Sequence, residues 1–160
     1  MTIYLLRHAR AGRRSTWRAE DDLRPLTKVG RRQAEAVVDL LWGADIRRIV
    51  SSPYVRCRQS VEPLAAQLRL PVDLADALAE GAPVHEILRL VEKVADEDTL
   101  LCTHGDVVEA LLVHLRDEGV KIRRRNGRPL MEKGSVWELE TERGTVVRAT
   151  YHKPPRPAGT

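Results

Sequence analysis

The chain of 160 residues predicts an α/β fold, a three-layer α/β/α sandwich whose central sheet is mostly parallel with an antiparallel edge. Three observations predict it. Apolar runs at residues 3–6, 46–50 and 99–103 are too short for anything but buried strands. Stretches with apolar residues at helical spacing alternate with those runs, the pattern of parallel strands joined by crossover helices. Two runs, 135–142 and 145–152, meet around Arg143-Gly144 and read as a closing hairpin.

The elements follow in order. The first strand ends abruptly in Arg7 and His8, and residues 9–26 form a long, polar, arginine-rich loop that contains Trp17 and closes at Pro25. Thr27 reads as an N-cap. Ala34, Val37, Val38, Leu41 and Trp42 then mark one helical face, stopped by Gly43. After the second strand, Ser52-Pro53 supplies a cap with proline at the first helical position, and Val61, Leu64, Ala65 and Leu68 face the core. Residues 71–74 make a weak third strand, followed by a loop with Asp76, Glu80, Gly81 and Pro83. A third helix carries Val84, Ile87, Leu88, Val91 and Val94. The fourth strand ends in His104-Gly105-Asp106, and a fourth helix with Val108, Leu111, Leu112 and Leu115 runs to Gly119. Trp42 and Trp137 match core positions. One domain is expected over residues 1–153, with a disordered tail at 154–160 that includes Pro154-Pro155-Arg156-Pro157.

Composition narrows the classes. A chain of this length buries roughly two-thirds of the surface its unfolded form exposes, so it needs no staple. Its two cysteines, Cys57 and Cys102, are too few for a disulfide framework, form no Cys-x-x-Cys pair, and read as small core hydrophobes in a reducing, cytoplasmic setting. No signal-type segment opens the sequence, and no apolar run approaches the ~20 residues of a membrane span. The net charge of +4 is unevenly spread: residues 1–60 carry 13 Lys and Arg against 6 acids, 61–120 carry 4 against 13, and 121–160 carry 10 against 4. That segregation suits an anionic ligand held by the first and last thirds. The run Arg123-Arg124-Arg125-Asn126-Gly127-Arg128 lacks interleaved aromatics, so nucleic acid is not the expected partner.

Polar groups gather at three strand ends: Arg7 and His8 after the first, Ser51-Ser52 leading to Arg56 after the second, His104 after the fourth. In open α/β sheets the carboxyl ends of strands border the ligand crevice, so these groups should converge. Two arginines offer forked donors for phosphate oxygens, and two histidines offer a nucleophile, donor or base. The acid of the set is Glu80 or Asp106, both in loops that leave the same edge. His85, His114 and His152 read as surface or packing residues. Trp17 with Arg10, Arg13, Arg14 and Arg18 forms either a lid or a solvated loop.

These residues resemble the histidine phosphatase superfamily, the group of phosphoglycerate mutases, acid phosphatases and phosphohistidine phosphatases. Arg7-His8-Ala9 is similar to its Arg-His-Gly signature, and Pro25-Leu26-Thr27 with Gly30 and Gln33-Ala34 to its Pro-Leu-Thr-x-x-Gly-x-x-Gln-Ala helix start. Ser51-Ser52-Pro53-Tyr54-Val55-Arg56 fits Ser-Ser-Pro-x-x-Arg, Thr103-His104-Gly105 fits the second histidine, and Ser135-Val136-Trp137 resembles a closing strand. Length and the alanine at position 9 bring the chain nearest the small phosphohistidine phosphatases of the SixA-like branch. The resemblance implies a phosphoglycerate mutase-like sandwich and a phosphatase in which His8 is the nucleophile. Arg7, Arg56 and His104 would hold the phosphoryl oxygens, and Glu80 would act as proton donor and later as base. It implies no metal and no cofactor. Its substrates would be protein phosphohistidine, a small phosphorylated metabolite or a nucleotide, since similar domains act on these and some are fused to nucleotide-cleaving domains. Two rivals remain: a metal-dependent phosphohydrolase with His8, His104, Asp106 and Glu80 as ligands, and a non-enzymatic basic module binding nucleic acid or phosphoprotein.

Overall fold

The computed structural model describes residues 1–156. Strand β1 (Thr2–Arg7) is followed by a wall-like loop, helix α1 (Lys28–Leu40) and strand β2 (Arg48–Ser51). Helix α2 (Val55–Leu68), strand β3 (Val72–Leu74), helix α3 (Val84–Val94), strand β4 (Thr99–Thr103) and helix α4 (Gly105–Asp117) continue the alternation. A two-stranded ribbon, β5 (Arg124–Arg125) and β6 (Arg128–Pro129), precedes the hairpin β7 (Val136–Glu142) and β8 (Thr145–His152).

The sheet runs β3-β2-β4-β1-β7-β8. Its first four strands are parallel, and β7 turns antiparallel on β1. Every residue of β4 is buried, as are Ile3, Tyr4, Leu5 and Leu6 in β1, because both central strands are covered on both faces. Two cores result. Val37, Cys57, Val61 and Leu64 from α1 and α2 pack with Leu6, Ile49 and Cys102 on one face. Ile87, Val91, Leu111 and Leu112 from α3 and α4 pack with Leu5, Leu101 and Trp137 on the other. The three-layer sandwich with an antiparallel edge is therefore present as expected.

Several local expectations are corrected. Trp42 is 74% exposed, because α1 stops at Leu40 and the chain turns through Gly43 at φ +90°, swinging the indole off the apolar face. Helix α2 begins at Val55 with Tyr54 as N-cap, so Pro53 is not its first residue. The Ser52 hydroxyl accepts the Tyr54 N–H at 3.2 Å and turns to the crevice. Ile46 is buried, yet it precedes β2 instead of starting it. His152 ends β8, with Nε2 3.9 Å from Glu138. Of the expected tail, residues 157–160 lie outside the described residues, and Pro154–Arg156 form no regular element.

Loop 9–26 is built as a wall. Ala11 bridges Leu26, a 3-10 turn spans Asp21–Leu23, and the Gln33 and Gln59 side chains accept the N–H groups of Arg10 and Leu26 at 2.9 and 2.8 Å. Thr27 caps α1 by accepting the Gly30 N–H at 3.0 Å. A Cβ at Gly30 would run into the Arg10 carbonyl, so only glycine lets the wall lie against the helix start. Gly30→Ala should cost about 1–3 kcal/mol in urea unfolding, whereas Gly12→Ala, with nothing within 4 Å of the added carbon, should leave stability nearly unchanged. Equal effects would contradict this packing.

Candidate active site

The site begins with strand register. Arg7 lies beside Thr103, and Ser51 beside Cys102, so β1, β2 and β4 end level with one another. The His8 N–H donates to the Thr103 carbonyl at 3.0 Å, and the Ser52 N–H to the Cys102 carbonyl at 3.0 Å, which carries the level one residue further. Arg7, His8, Arg56, His104, Glu80 and Asp106 consequently line a single cleft of about 790 Å³. His85, His114 and His152 do not line it.

The two histidine rings stand edge to face, 5.4 Å between centroids. His8 is only 6% exposed, and its Nδ1 lies 2.7 Å from the Ala9 carbonyl. A carbonyl can only accept, so Nδ1 carries the hydrogen and Nε2 keeps its lone pair. Burial, opposed by the Ala9 carbonyl and reinforced by the charges of His104, Arg56 and Arg7, lowers the imidazole to about 3. The ring is therefore neutral near pH 7.

Three buried polar atoms in this cleft have no partner: Arg7 Nε, Arg56 Nε and His104 Nδ1. Buried polar groups are nearly always paired, so three orphans beside one histidine are donors that an anion could satisfy. Each is held from behind. Arg7 donates to the Met131 carbonyl at 2.8 Å and lies against Gly105, where a Cβ would come 2.8 Å from the guanidinium carbon. His104 Nε2 meets the Ser52 hydroxyl at 2.9 Å and Cys57 Sγ at 3.5 Å. Arg56, 1% exposed, stacks over Tyr54 at 4.8 Å and donates to the Asp21 carbonyl at 2.8 Å and carboxylate at 3.0 Å.

The two candidate acids take different positions. Glu80 receives Arg14 at 3.1 Å and lies 3.6 Å from Arg56. Asp106 accepts the Gly81 N–H at 2.7 Å, bracing the loop that carries Glu80 against the start of α4. Thr103 fixes the same loop by donating to the Leu78 carbonyl at 2.6 Å.

Sequence reasoning missed Asp21, Ser52 as a partner of His104, Tyr54 and Ser60. Asp21 joins Arg56 to Arg24 at 3.0 Å and to Arg14 at 3.5 Å. Burial raises its carboxyl, but Arg24 and Arg56 outweigh that, and the group ends below the ordinary carboxylate range. Ser60 accepts the Ala9 N–H at 2.9 Å and donates to the Arg56 carbonyl at 2.7 Å, coupling the neighbour of His8 to α2. Of these, Ser60 carried a signal, a lone hydroxyl on the apolar face of a helix, and Ser52 carried another in its place at a strand end level with that of His104. Arg10, Arg13 and Arg14 of the wall line the cleft; Trp17 and Arg18 do not, and the Trp17 indole instead donates to the Glu20 carbonyl at 2.9 Å.

Eight arginines and lysines line the cleft against three carboxylates. Among the described residues no three His, Cys, Asp or Glu side chains gather as a metal site. The carboxylates that a metal would need are taken by arginines and by a backbone N–H. Among the same residues no helix is long and apolar enough to cross a membrane.

Comparison with known proteins agrees with this arrangement. Residues 3–83 match the model of the histidine phosphatase superfamily, branch 1. The chain is 35% identical over 159 residues to an 8-oxo-(d)GTP phosphatase of Mycolicibacterium smegmatis, an alignment covering 96% of this chain and 48% of that protein. It thus spans about half the length of that relative. Among solved structures, the protein histidine phosphatase SixA complexed with tungstate superposes with a TM-score of 0.76 at 20% identity, covering 98% of this chain and 97% of that one. A mycobacterial glucosyl-3-phosphoglycerate phosphatase gives 0.69 at 18% identity, with 98% and 99% covered. At these identities the two structures show a shared fold.

The buried imidazole has a consequence for stability. Folded His8 stays neutral down to about 3, whereas in the unfolded chain it protonates below about 6.5. Its contribution is therefore complete above pH 6.5 and is lost as pH falls from 6.5 towards 3. The melting temperature should decline over that range less steeply in His8→Gln than in the unsubstituted protein. An identical decline would contradict the buried neutral ring.

Proposed function

The chain belongs to the histidine phosphatase superfamily, and from that membership we propose that it hydrolyses a phosphorylated substrate without a metal, through a phosphohistidine on His8. The observation that carries the reading is the set of three buried, unpartnered donors beside a neutral imidazole. His8 Nε2 attacks phosphorus, the bond to the leaving oxygen breaks, and the phosphoryl group becomes bonded to nitrogen. Water then attacks phosphorus, the N–P bond breaks, and orthophosphate leaves. Arg7, Arg56 and His104 hold the equatorial oxygens as charge redistributes, where phosphoryl-transfer enzymes gain most of their acceleration.

Ser52 has a part in this. Its oxygen accepts the Tyr54 N–H, so its own hydrogen is free for His104 Nε2, which leaves the Nδ1 hydrogen facing the anion. Glu80 is the group placed to protonate the leaving oxygen and to activate water, with Asp106 holding its loop.

For substrate we propose a small phosphorylated molecule of nucleotide kind. The cation-rich mouth exceeds what one phosphoryl group requires, and the relative at 35% identity is an 8-oxo-(d)GTP phosphatase. Protein phosphohistidine is the second reading. It is favoured by the engagement of Glu80 with Arg14 and Arg56, because a phosphoramidate leaving group needs less help from an acid than an alkoxide does. Two buried free thiols, Cys57 and Cys102, suit a reducing, cytoplasmic setting.

With p-nitrophenyl phosphate as substrate, His8→Ala should lose about a thousandfold or more in kcat, and EDTA should leave the unsubstituted protein fully active. Activity abolished by EDTA and restored by a divalent cation would contradict the proposal. Ser52→Ala should lower kcat/KM about tenfold, the worth of one misoriented donor; an unchanged value would remove Ser52 from the account.

A further inference from the structure

The donors assigned to the transferred phosphoryl group leave unexplained those other cations of the cleft that have no carboxylate partner. Arg14, Arg24, Arg56 and Arg128 each have a carboxylate within 4.0 Å, supplied by Asp21, Glu80 or Glu109. Arg10, Arg13 and Lys133 have none among the described residues; Arg10 and Lys133 differ from Arg13 in where they lie. Both side chains line the cleft and also the smaller hollow, about 450 Å³, into which it continues past Lys153 and Pro154. Arg10 and Lys133 are the unpaired cations that the cleft and the hollow share, and the hollow's carboxylate, Glu132, accepts the Tyr151 hydroxyl at 3.3 Å instead; cations left bare there are the complement of something anionic that arrives from solution.

The backbone under both residues is fixed to the nucleophile. Arg10 lies two residues after His8, its N–H held by Gln33 at 2.9 Å and its carbonyl accepting the Thr27 N–H at 3.0 Å. Lys133 sits in a turn whose next residue, Gly134 at φ +84°, donates to the Arg7 and His8 carbonyls at 3.0 and 3.2 Å. The backbone that carries each cation is therefore fixed to the end of β1, next to His8 in the chain or through the turn at Gly134. The Lys133 ammonium is lowered from the ordinary lysine value by burial and then by Arg7, Arg10, Arg24 and Arg56.

We propose that Arg10 and Lys133 form a second anion subsite, and that the substrate is a terminal phosphoanhydride, a nucleoside diphosphate by class, whose leaving group is itself a phosphate. The inference rests on the reading of His8 as nucleophile. In it, His8 Nε2 bonds to the terminal phosphorus, the bridging P–O bond breaks, and both electrons go to the oxygen of the departing phosphate monoester. Water later releases orthophosphate, so the sum is diphosphate plus water giving monophosphate plus orthophosphate. Arg10 and Lys133 offset the charge that develops on the leaving phosphate. A phosphate oxygen, with its second pKa near 6, departs at neutral pH with little need of a proton. That accords with a Glu80 carboxylate already engaged by two arginines.

The test uses p-nitrophenyl phosphate hydrolysis with inorganic phosphate and inorganic pyrophosphate as competing inhibitors, so that no choice of nucleobase enters. For the unsubstituted protein, pyrophosphate should bind at least tenfold more tightly than phosphate. In Arg10→Ala/Lys133→Ala that ratio should fall to about one, and Arg10→Lys/Lys133→Arg should restore most of it. A ratio near one in the unsubstituted protein, or a ratio that survives the double substitution, overturns the subsite while leaving the His8 reading intact. Failure of the unsubstituted protein to hydrolyse p-nitrophenyl phosphate overturns the phosphatase reading and the subsite together. Turnover of ADP or GDP to the monophosphate, faster than turnover of AMP or GMP, is the expected companion result; the reverse order contradicts the substrate class.

Discussion

The parallel pairing of β1 with β4 is the constraint on which the rest of the molecule depends. Parallel strands deliver their carboxyl ends to the same edge, and the register that sets Arg7 beside Thr103 brings His8 and His104 out of the sheet side by side. A slip of one residue would turn every side chain of β1 to the opposite face and send His8 into a helix layer. The register is secured by burial. Ile3, Leu5 and Leu6 are almost fully enclosed, and each faces a different helix layer from its neighbour in sequence. The Arg7 N–H pairs with the Ser135 carbonyl on the far side, so the last residue of the parallel pairing is held from two directions.

Above that edge the molecule concentrates positive charge that an ordinary fold avoids. Arg56 is enclosed almost completely, and a buried cation is tolerated only when it is paired and hydrogen-bonded. Asp21 supplies that pairing through both its carboxylate and its carbonyl, so the wall formed by residues 9–26 and the anion cradle are one construction. Glycine appears where the cradle needs close approach: Gly105 lets the Arg7 guanidinium rest on the start of α4, and Gly30 lets the Arg10 backbone rest on α1. Donors left without partners cost stability, a local sacrifice of the kind functional sites make, and the proposed phosphoryl seat would account for it.

Much of this was legible in the sequence because it is local. Strands β1 and β4, buried on both faces, announce themselves as unbroken apolar runs, and the polar residues that end them stand out for that reason. Thr27 as a cap and Arg143-Gly144 as a hairpin turn are chemistry confined to a few residues. The misreadings came from contacts that only tertiary structure makes. Trp42 continues the apolar spacing of α1, but the helix stops two residues short of it, and spacing cannot register that stop. Ser52 looked like a cap because serine before proline usually is one; its hydroxyl is drawn instead to a histidine 52 positions away. Asp21 sat in a polar loop with nothing to distinguish it from its neighbour Asp22, and its role depends on Arg56 arriving from another element.

The central claim is that Arg7, Arg56 and His104 hold the equatorial oxygens of a phosphoryl group while His8 Nε2 bonds to phosphorus. A crystal structure with vanadate bound tests it most directly. The account predicts vanadium coordinated by His8 Nε2, with Arg7 Nε, Arg56 Nε and His104 Nδ1 each about 2.7–3.1 Å from an equatorial oxygen and the hydrogen bond from His8 Nδ1 to the Ala9 carbonyl retained. Vanadate coordinated by any other residue, or bound with those three donors still unpartnered, would contradict it.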